Sequence, residues 1–111
     1  MPESDVALEQ LTIERTVDGN RLVLSLAGEL DLATAPALKA VLEDAQSDGL
    51  SHLVIDLSGV QFMDSTGITV FAAAQRAADE NQHSLSLRRG SAQVQRVLKI
   101  TGLLERLTFE D

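Results

Sequence analysis

Residues Leu53-Val54-Ile55-Asp56-Leu57 are nearly all apolar, and that run constrains the fold more than any other feature of the chain. A strand with one wet face alternates apolar and polar side chains. A strand without alternation is covered on both faces, as in the centre of a largely parallel sheet. Parallel strands need crossovers, and the flanking sequence supplies them. Thr34 is placed to N-cap a helix with Pro36 in its first turn, where a missing N–H costs little. Leu38, Val41, Leu42 and Ala45 recur at helical spacing, and Gly49 reads as the stop. A second helix follows from Thr66 to about Asp79, with Ile68, Val70, Phe71, Ala72, Ala73 and Ala74 leaving it almost no polar side. His83 to Arg88 alternates as a strand. Gly90-Ser91 opens a third helix with Val94, Val97 and Leu98 inward and Gly102 as its stop, and Leu104 to Phe109 reads as a last short strand.

Upstream, Leu11-Thr12-Ile13 and Arg21 to Leu26 alternate with period two around Asp18-Gly19-Asn20, which predicts a β-hairpin. Gly28 ends its second strand, and Glu29-Leu30-Asp31 reads as a loop. Residues 1–7 read as a flexible N-terminal tail before a single domain over residues 8–111. The order β-β-α-β-α-β-α-(β) predicts an α/β domain with right-handed crossovers and a mixed, mostly parallel sheet of four to five strands.

Composition narrows the functional classes. The chain has 111 residues, enough for one domain, and 44% are hydrophobic, enough for a core. Only 3% are aromatic, without Trp or Tyr, so a platform for stacking bases is missing. The net charge is −8, and twelve of the seventeen acids lie in residues 1–64 against three bases. Such acidity repels nucleic acid and anionic lipid and suits a basic protein partner, although solubility alone would also account for it. There is no cysteine, hence no disulfide, thiolate metal site or cysteine nucleophile. Met1 to Gln10 carries three acids and no apolar core, unlike a signal peptide, and Ile68 to Ala74 is too short to span a bilayer. These features predict a soluble, cytoplasmic protein.

The segment Phe62-Met63-Asp64-Ser65-Thr66-Gly67 is the strongest candidate site. It lies where a buried strand meets a helix, the edge at which open α/β sheets bind ligands and partners. Ser65 falls at a helix N-terminus, where free N–H groups and the dipole tolerate an anion such as a phosphate. The residues alone leave two readings open. Ser65 or Thr66 simply caps the helix while Gly67 permits close packing, or the paired hydroxyls beside Asp64 are functional. Asp31 is the second candidate, either an acid favourable to a helix start or part of an acidic rim with Asp64. Arg88, Arg89, Arg96 and Lys99 read as solvated charges.

Enzyme readings find little support. A nucleophile elbow needs Gly-x-Ser-x-Gly, and position 63 is Met. An aspartic protease motif fails because two residues separate Asp64 from Gly67. His52 and His83 flank strands and read as exposed turn residues; spacing does not exclude a Ser–His–Asp triad, but nothing supports one. The glycines are scattered, so no phosphate-cradling loop is formed, and no histidine–carboxylate set has metal-ligand spacing. No cofactor or metal is expected.

Three segments together resemble the STAS domain, and more narrowly the bacterial anti-sigma factor antagonists. They are Gly28-Glu29-Leu30-Asp31, the long run Val54 to Ile68, and Thr101-Gly102-Leu103. The resemblance covers about residues 8–109. It implies helices mainly on one face of the sheet and a partner-switching role. In such a switch the unmodified protein binds an anti-sigma factor that is also a serine kinase with a histidine-kinase-type ATPase fold, and this frees the sigma factor. The kinase uses Mg-ATP to phosphorylate the serine after the motif aspartate, here Ser65, and a serine phosphatase resets it. Asp31 and Asp64 match positions beside that serine, and Asp31, Asp64, Ser65, Thr66 and Gly67 form the implied partner-binding set. Two departures stand out: the chain stops at Asp111, where many relatives carry a further helix, and Gly67-Ile68-Thr69 replaces Gly-Leu-Gly. The rival reading is a constitutive STAS binding or scaffold module of a stress-signalling or transport assembly. A monomer is the simplest state.

Overall fold

The computed structural model describes residues 2–7 as backbone and residues 10–47 and 51–110 with their side chains. Gly49, expected to stop the first helix, lies outside the described residues. The sheet has six strands in sequence order: β1 (Pro2–Ala7), β2 (Leu11–Asp18), β3 (Arg21–Leu30), β4 (His52–Met63), β5 (Ser84–Arg88) and β6 (Phe109–Glu110). The first two pairings are antiparallel and the remaining three parallel. The helices are α1 (Ala35–Ser47), α2 (Ser65–Asn81) and α3 (Ala92–Ile100), and a single 3-10 turn spans Leu103–Glu105. Each crossover steps one strand in the same direction. With right-handed connections, that repetition places all three helices on one face. Leu22, Leu24, Ile55, Leu57, Leu85 and Leu87 accordingly share a core with Leu38, Leu42, Phe71 and Leu98 from the helices.

Several expectations are corrected. Residues 2–7 are not a tail but an edge strand, paired antiparallel to β2. An edge strand needs only backbone partners on one side and tolerates Pro2 at its start, so it requires no apolar alternation in the sequence. The hairpin turn is Gly19-Asn20, with Gly19 at φ +66°. Gly28 does not end β3. The strand passes through a register shift there and continues to Leu30. Likewise β4 continues past Leu57, through a register shift at Gly59, to Met63, so the strand reaches the serine segment without a loop. The expected strand from Leu104 is the 3-10 turn followed by the two-residue β6.

The second face of the sheet is covered by polar side chains rather than by helices. Val23 and Val54 lie there beside Ser86, and Val54 is fully buried. The Arg21 guanidinium reaches Glu110 across this face, with contacts of 3.0 and 3.2 Å. Arg88, expected to be solvated, donates from Nε to Glu110 at 2.7 Å and lies 3.6 Å from Asp56. Its hydrogen bond holds the Glu110 carboxyl below the usual carboxylate range and raises the Arg88 guanidinium in return. Arg89 stacks over Phe109 at 5.0 Å. His52 is also placed differently from expectation: it opens β4, with Nδ1 2.9 Å from the Ser84 hydroxyl and Nε2 3.1 Å from that of Ser86. Serines thus occupy both ring nitrogens, and among the described residues no carboxylate orients the ring as a triad requires.

Candidate functional site

The site is built where β3 and β4 end side by side. Leu30 pairs with Met63 in parallel register, and both side chains are buried. The Asp64 N–H continues the ladder by donating to the Leu30 carbonyl at 3.2 Å. Asp31 and Asp64 are therefore the first residues beyond neighbouring strands, because both strands run further than the sequence suggested.

Each aspartate organises its own turn. Asp64, not Ser65 or Thr66, is the N-cap of α2: its carboxylate accepts from the Thr66 N–H at 2.9 Å and from the Thr66 hydroxyl. The Gly67 N–H donates to the Asp64 carbonyl at 3.1 Å. The Asp31 carboxylate accepts from the N–H groups of Ala33 and Thr34 at 3.0 and 3.2 Å. Thr34 stands just before α1, yet its hydroxyl does not cap the helix. It accepts from the Asp31 N–H at 3.0 Å and donates to the Glu29 carbonyl at 2.9 Å, which locks the loop.

Ser65 is the first residue of α2 and is exposed. Among the described residues its hydroxyl has no hydrogen-bond partner, while its carbonyl accepts from the Thr69 hydroxyl at 3.4 Å. The N–H groups of Thr66 and Gly67 are already bonded to Asp64, so those two do not receive an anion on Ser65. Thr66 is half-buried and tied to Asp64. Gly67 is buried beneath the first turn, where a Cβ would come within 2.7 Å of Met63 Cγ and 2.9 Å of Leu30 Cδ2. Asp31, Asp64, Ser65 and Thr66 are thus gathered at one edge, and Gly67 supports that edge from below.

Gln93 carries no signal in the sequence, because a polar residue in the opening turn of a helix reads as solvated. In the structure its side-chain amide accepts from the Met63 N–H at 3.1 Å and donates to the Met63 carbonyl at 3.2 Å. Strand β5 pairs with β4 only as far as Arg88 opposite Asp56, so Gln93 stands in for a strand at the far end of β4. Gln93→Leu leaves two Met63 backbone groups without these partners. It is expected to cost about 2 kcal/mol, since each unmet buried group costs ~1–3 kcal/mol. Urea denaturation measures the loss, and an unchanged midpoint would show that the amide pair contributes nothing.

A cavity of about 190 Å³ lies between α2 and the 3-10 turn, lined by Ala72, Gln75, Arg76, Asp79, Leu103 and Arg106, and no site residue borders it. Among the described residues, no cluster of three or more His, Asp or Glu side chains could hold a metal, and no helix is long and apolar enough to cross a membrane.

The site is thus an exposed serine behind a capping aspartate, at the edge of a sheet with one helical face. The chain belongs to the STAS domain family: the family described as "Mlab, STAS domain" matches residues 13–108. The anti-sigma-B factor antagonist of Staphylococcus aureus is 34% identical over 93 residues, covering 84% of this chain and 86% of that protein. An anti-sigma factor antagonist from Mycobacterium paratuberculosis superimposes with a TM-score of 0.81 at 28% identity, covering 93% and 87% of the two chains. The Bacillus cell fate determinant SpoIIAA in its phosphorylated form shares the fold, with a TM-score of 0.69 at 21% identity and coverage of 89% and 91%. Anti-sigma factor antagonists of this family are regulatory binding proteins, not enzymes.

Proposed function

We propose that this protein is an anti-sigma factor antagonist that works by partner switching. Unphosphorylated, it binds an anti-sigma factor that is also a serine kinase with a histidine-kinase-type ATPase fold, and so frees a sigma factor. Phosphorylation of Ser65 blocks binding, and a serine phosphatase restores it. In this reading the protein is a cytoplasmic monomer and Asp31, Asp64, Ser65 and Thr66 lie in the partner interface, with Gly67 beneath.

The observation that carries the reading is the exposed Ser65 hydroxyl, without a hydrogen-bond partner among the described residues and held at the start of α2 by the Asp64 cap. A cap-only serine would spend its hydroxyl on the helix, and here Asp64 does that work. The hydroxyl is free to attack the γ-phosphorus of kinase-bound Mg-ATP. The Oγ–P bond forms, the bond to the bridging oxygen breaks, ADP leaves, and a base of the kinase takes the proton. Phosphate adds roughly −1.5 to −2 charge at neutral pH. Desolvating an unpaired charge costs several kcal/mol, against about −8 kcal/mol for a micromolar complex.

Ser65→Ala and Ser65→Asp, used as paired baits in lysate of the source organism, test the reading. An ATPase-fold kinase should be enriched on the alanine bait and absent from the aspartate bait, and the purified kinase should then label wild type but not Ser65→Ala. Equal recovery of one non-kinase assembly on both baits would instead support a constitutive scaffold.

A further inference from the structure

Among the described residues four large apolar side chains are exposed, and two of them lie on the segments that carry Asp31 and Ser65. Leu32, 76% exposed, directly follows Asp31, and Phe62, 43% exposed, precedes Met63 and Asp64. The β3–β4 register places Phe62 opposite Glu29 and Met63 opposite Leu30, so both segments leave the same end of the sheet. The three acids of this edge, Glu29, Asp31 and Asp64, have no Lys or Arg among residues 27–38 or 58–70 to answer them.

Accepting the switch proposed above, we infer that Leu32 and Phe62 are the apolar anchors of the interface that covers Ser65. Their occupant is a surface of the anti-sigma factor that is apolar at its centre and basic at its rim. The centre follows from what the edge leaves unspent. The Asp31 and Asp64 carboxylates accept local hydrogen bonds and keep further acceptor sites for a basic rim, while two apolar side chains and one hydroxyl remain for the centre. Central apolar side chains ringed by charge are where binding energy concentrates. The basic rim follows from charge complementarity with the three acids.

The arrangement gives the switch its sign. Unmodified, the small hydroxyl is covered at little cost beside the anchors. Phosphorylated, a dianion is covered by the partner's apolar centre, and the rim bases are engaged by Glu29, Asp31 and Asp64. The block is then desolvation of an unanswered charge, which salt does not relieve. Repulsion by an acidic group of the partner would be relieved by salt, because screening weakens exposed charge pairs.

The test uses the full chain and the purified anti-sigma factor recovered on the Ser65→Ala bait, with dissociation constants measured from 50 mM to 1 M NaCl. Leu32→Ala and Phe62→Ala should each weaken binding by about tenfold or more. Both side chains are partly or largely in solvent, so thermal unfolding should be little changed, and Leu32→Ser is the control should Phe62→Ala fold poorly. Wild type should weaken with salt, and Ser65-phosphorylated protein should stay unbound throughout. Wild-type affinity in both alanine variants would overturn the anchors, and recovery of the phosphorylated complex at high salt would overturn the desolvation block. Failure to recover an anti-sigma factor at all would overturn the underlying switch first.

Discussion

Gly28→Ala is expected to cost the domain about 3–5 kcal/mol, a large part of the ~5–15 kcal/mol that holds a domain of this size together. Two independent effects add. Gly28 has φ +113°, a conformation that costs a residue with a Cβ roughly 1–2 kcal/mol or more. A Cβ built there would lie only 2.1 Å from the Gln10 carbonyl oxygen. That oxygen is backbone and accepts from the Glu29 N–H at 2.7 Å, so no rotamer change relieves the overlap. The β2–β3 ladder must separate at its end, and the Glu29–Gln10 hydrogen bond is lost with it. Urea denaturation measures the effect. A change below about 1 kcal/mol would mean that the strand end can rotate away from the Gln10 carbonyl at little cost. Gly19→Ala provides the comparison: it has positive φ but open space around it, so only the conformational part should appear.

The contrast between these glycines shows what the sequence could and could not reveal. The alternation of Leu22, Leu24 and Leu26, the run at Leu53 and the helical spacing of Leu38, Val41, Leu42 and Ala45 each expose a local period, and each became the expected element. What escaped depends on distant partners. Strand β1 exists because β2 offers an edge, and its acidic sequence carries no period of its own. The bulges at Gly28 and Gly59, which carry β3 and β4 on to Leu30 and Met63, depend on backbone atoms of a neighbouring strand. Val54 was legible as buried, but not that arginine and glutamate side chains would meet across the same face of the sheet. At the site, Asp64 and Ser65 stood out through the long motif from Val54 to Ile68, and Asp31 only through the separate Gly28–Asp31 segment. The division of labour among them was not, because Ser, Thr and Asp are all good caps and only geometry shows which one is used. Gln93 was invisible because nothing in its local sequence distinguishes a strand substitute from a solvated amide.

Gly67→Ala is the substitution in which two physical terms compete and the sign of the result decides between them. In a helix, alanine is favoured over glycine by ~1 kcal/mol. Against this, the new methyl would sit 2.7 Å from Met63 Cγ and 2.9 Å from Leu30 Cδ2. Both side chains are fully buried, so neither has open space to move into. Overpacking of that kind costs ~1–3 kcal/mol, and the expected net loss is about 1–2 kcal/mol, rising for Gly67→Val. The functional effect should exceed the thermodynamic one. If α2 lifts to make room, Ser65 moves two residues upstream of the strain, while Asp64 is held back by Leu30. Misplacing a reacting group by about 1 Å can cost ~100-fold. In the switch proposed above, phosphorylation of Gly67→Ala by the kinase recovered on the Ser65→Ala bait should therefore fall far more than the folded fraction does, at temperatures where the variant is fully folded. A variant more stable than wild type would show that Met63 and Leu30 yield to the methyl. If such a protein were also phosphorylated normally, Gly67 would not be what seats the serine, and the position of Ser65 would rest on the Asp64 cap and the Gln93 amide alone.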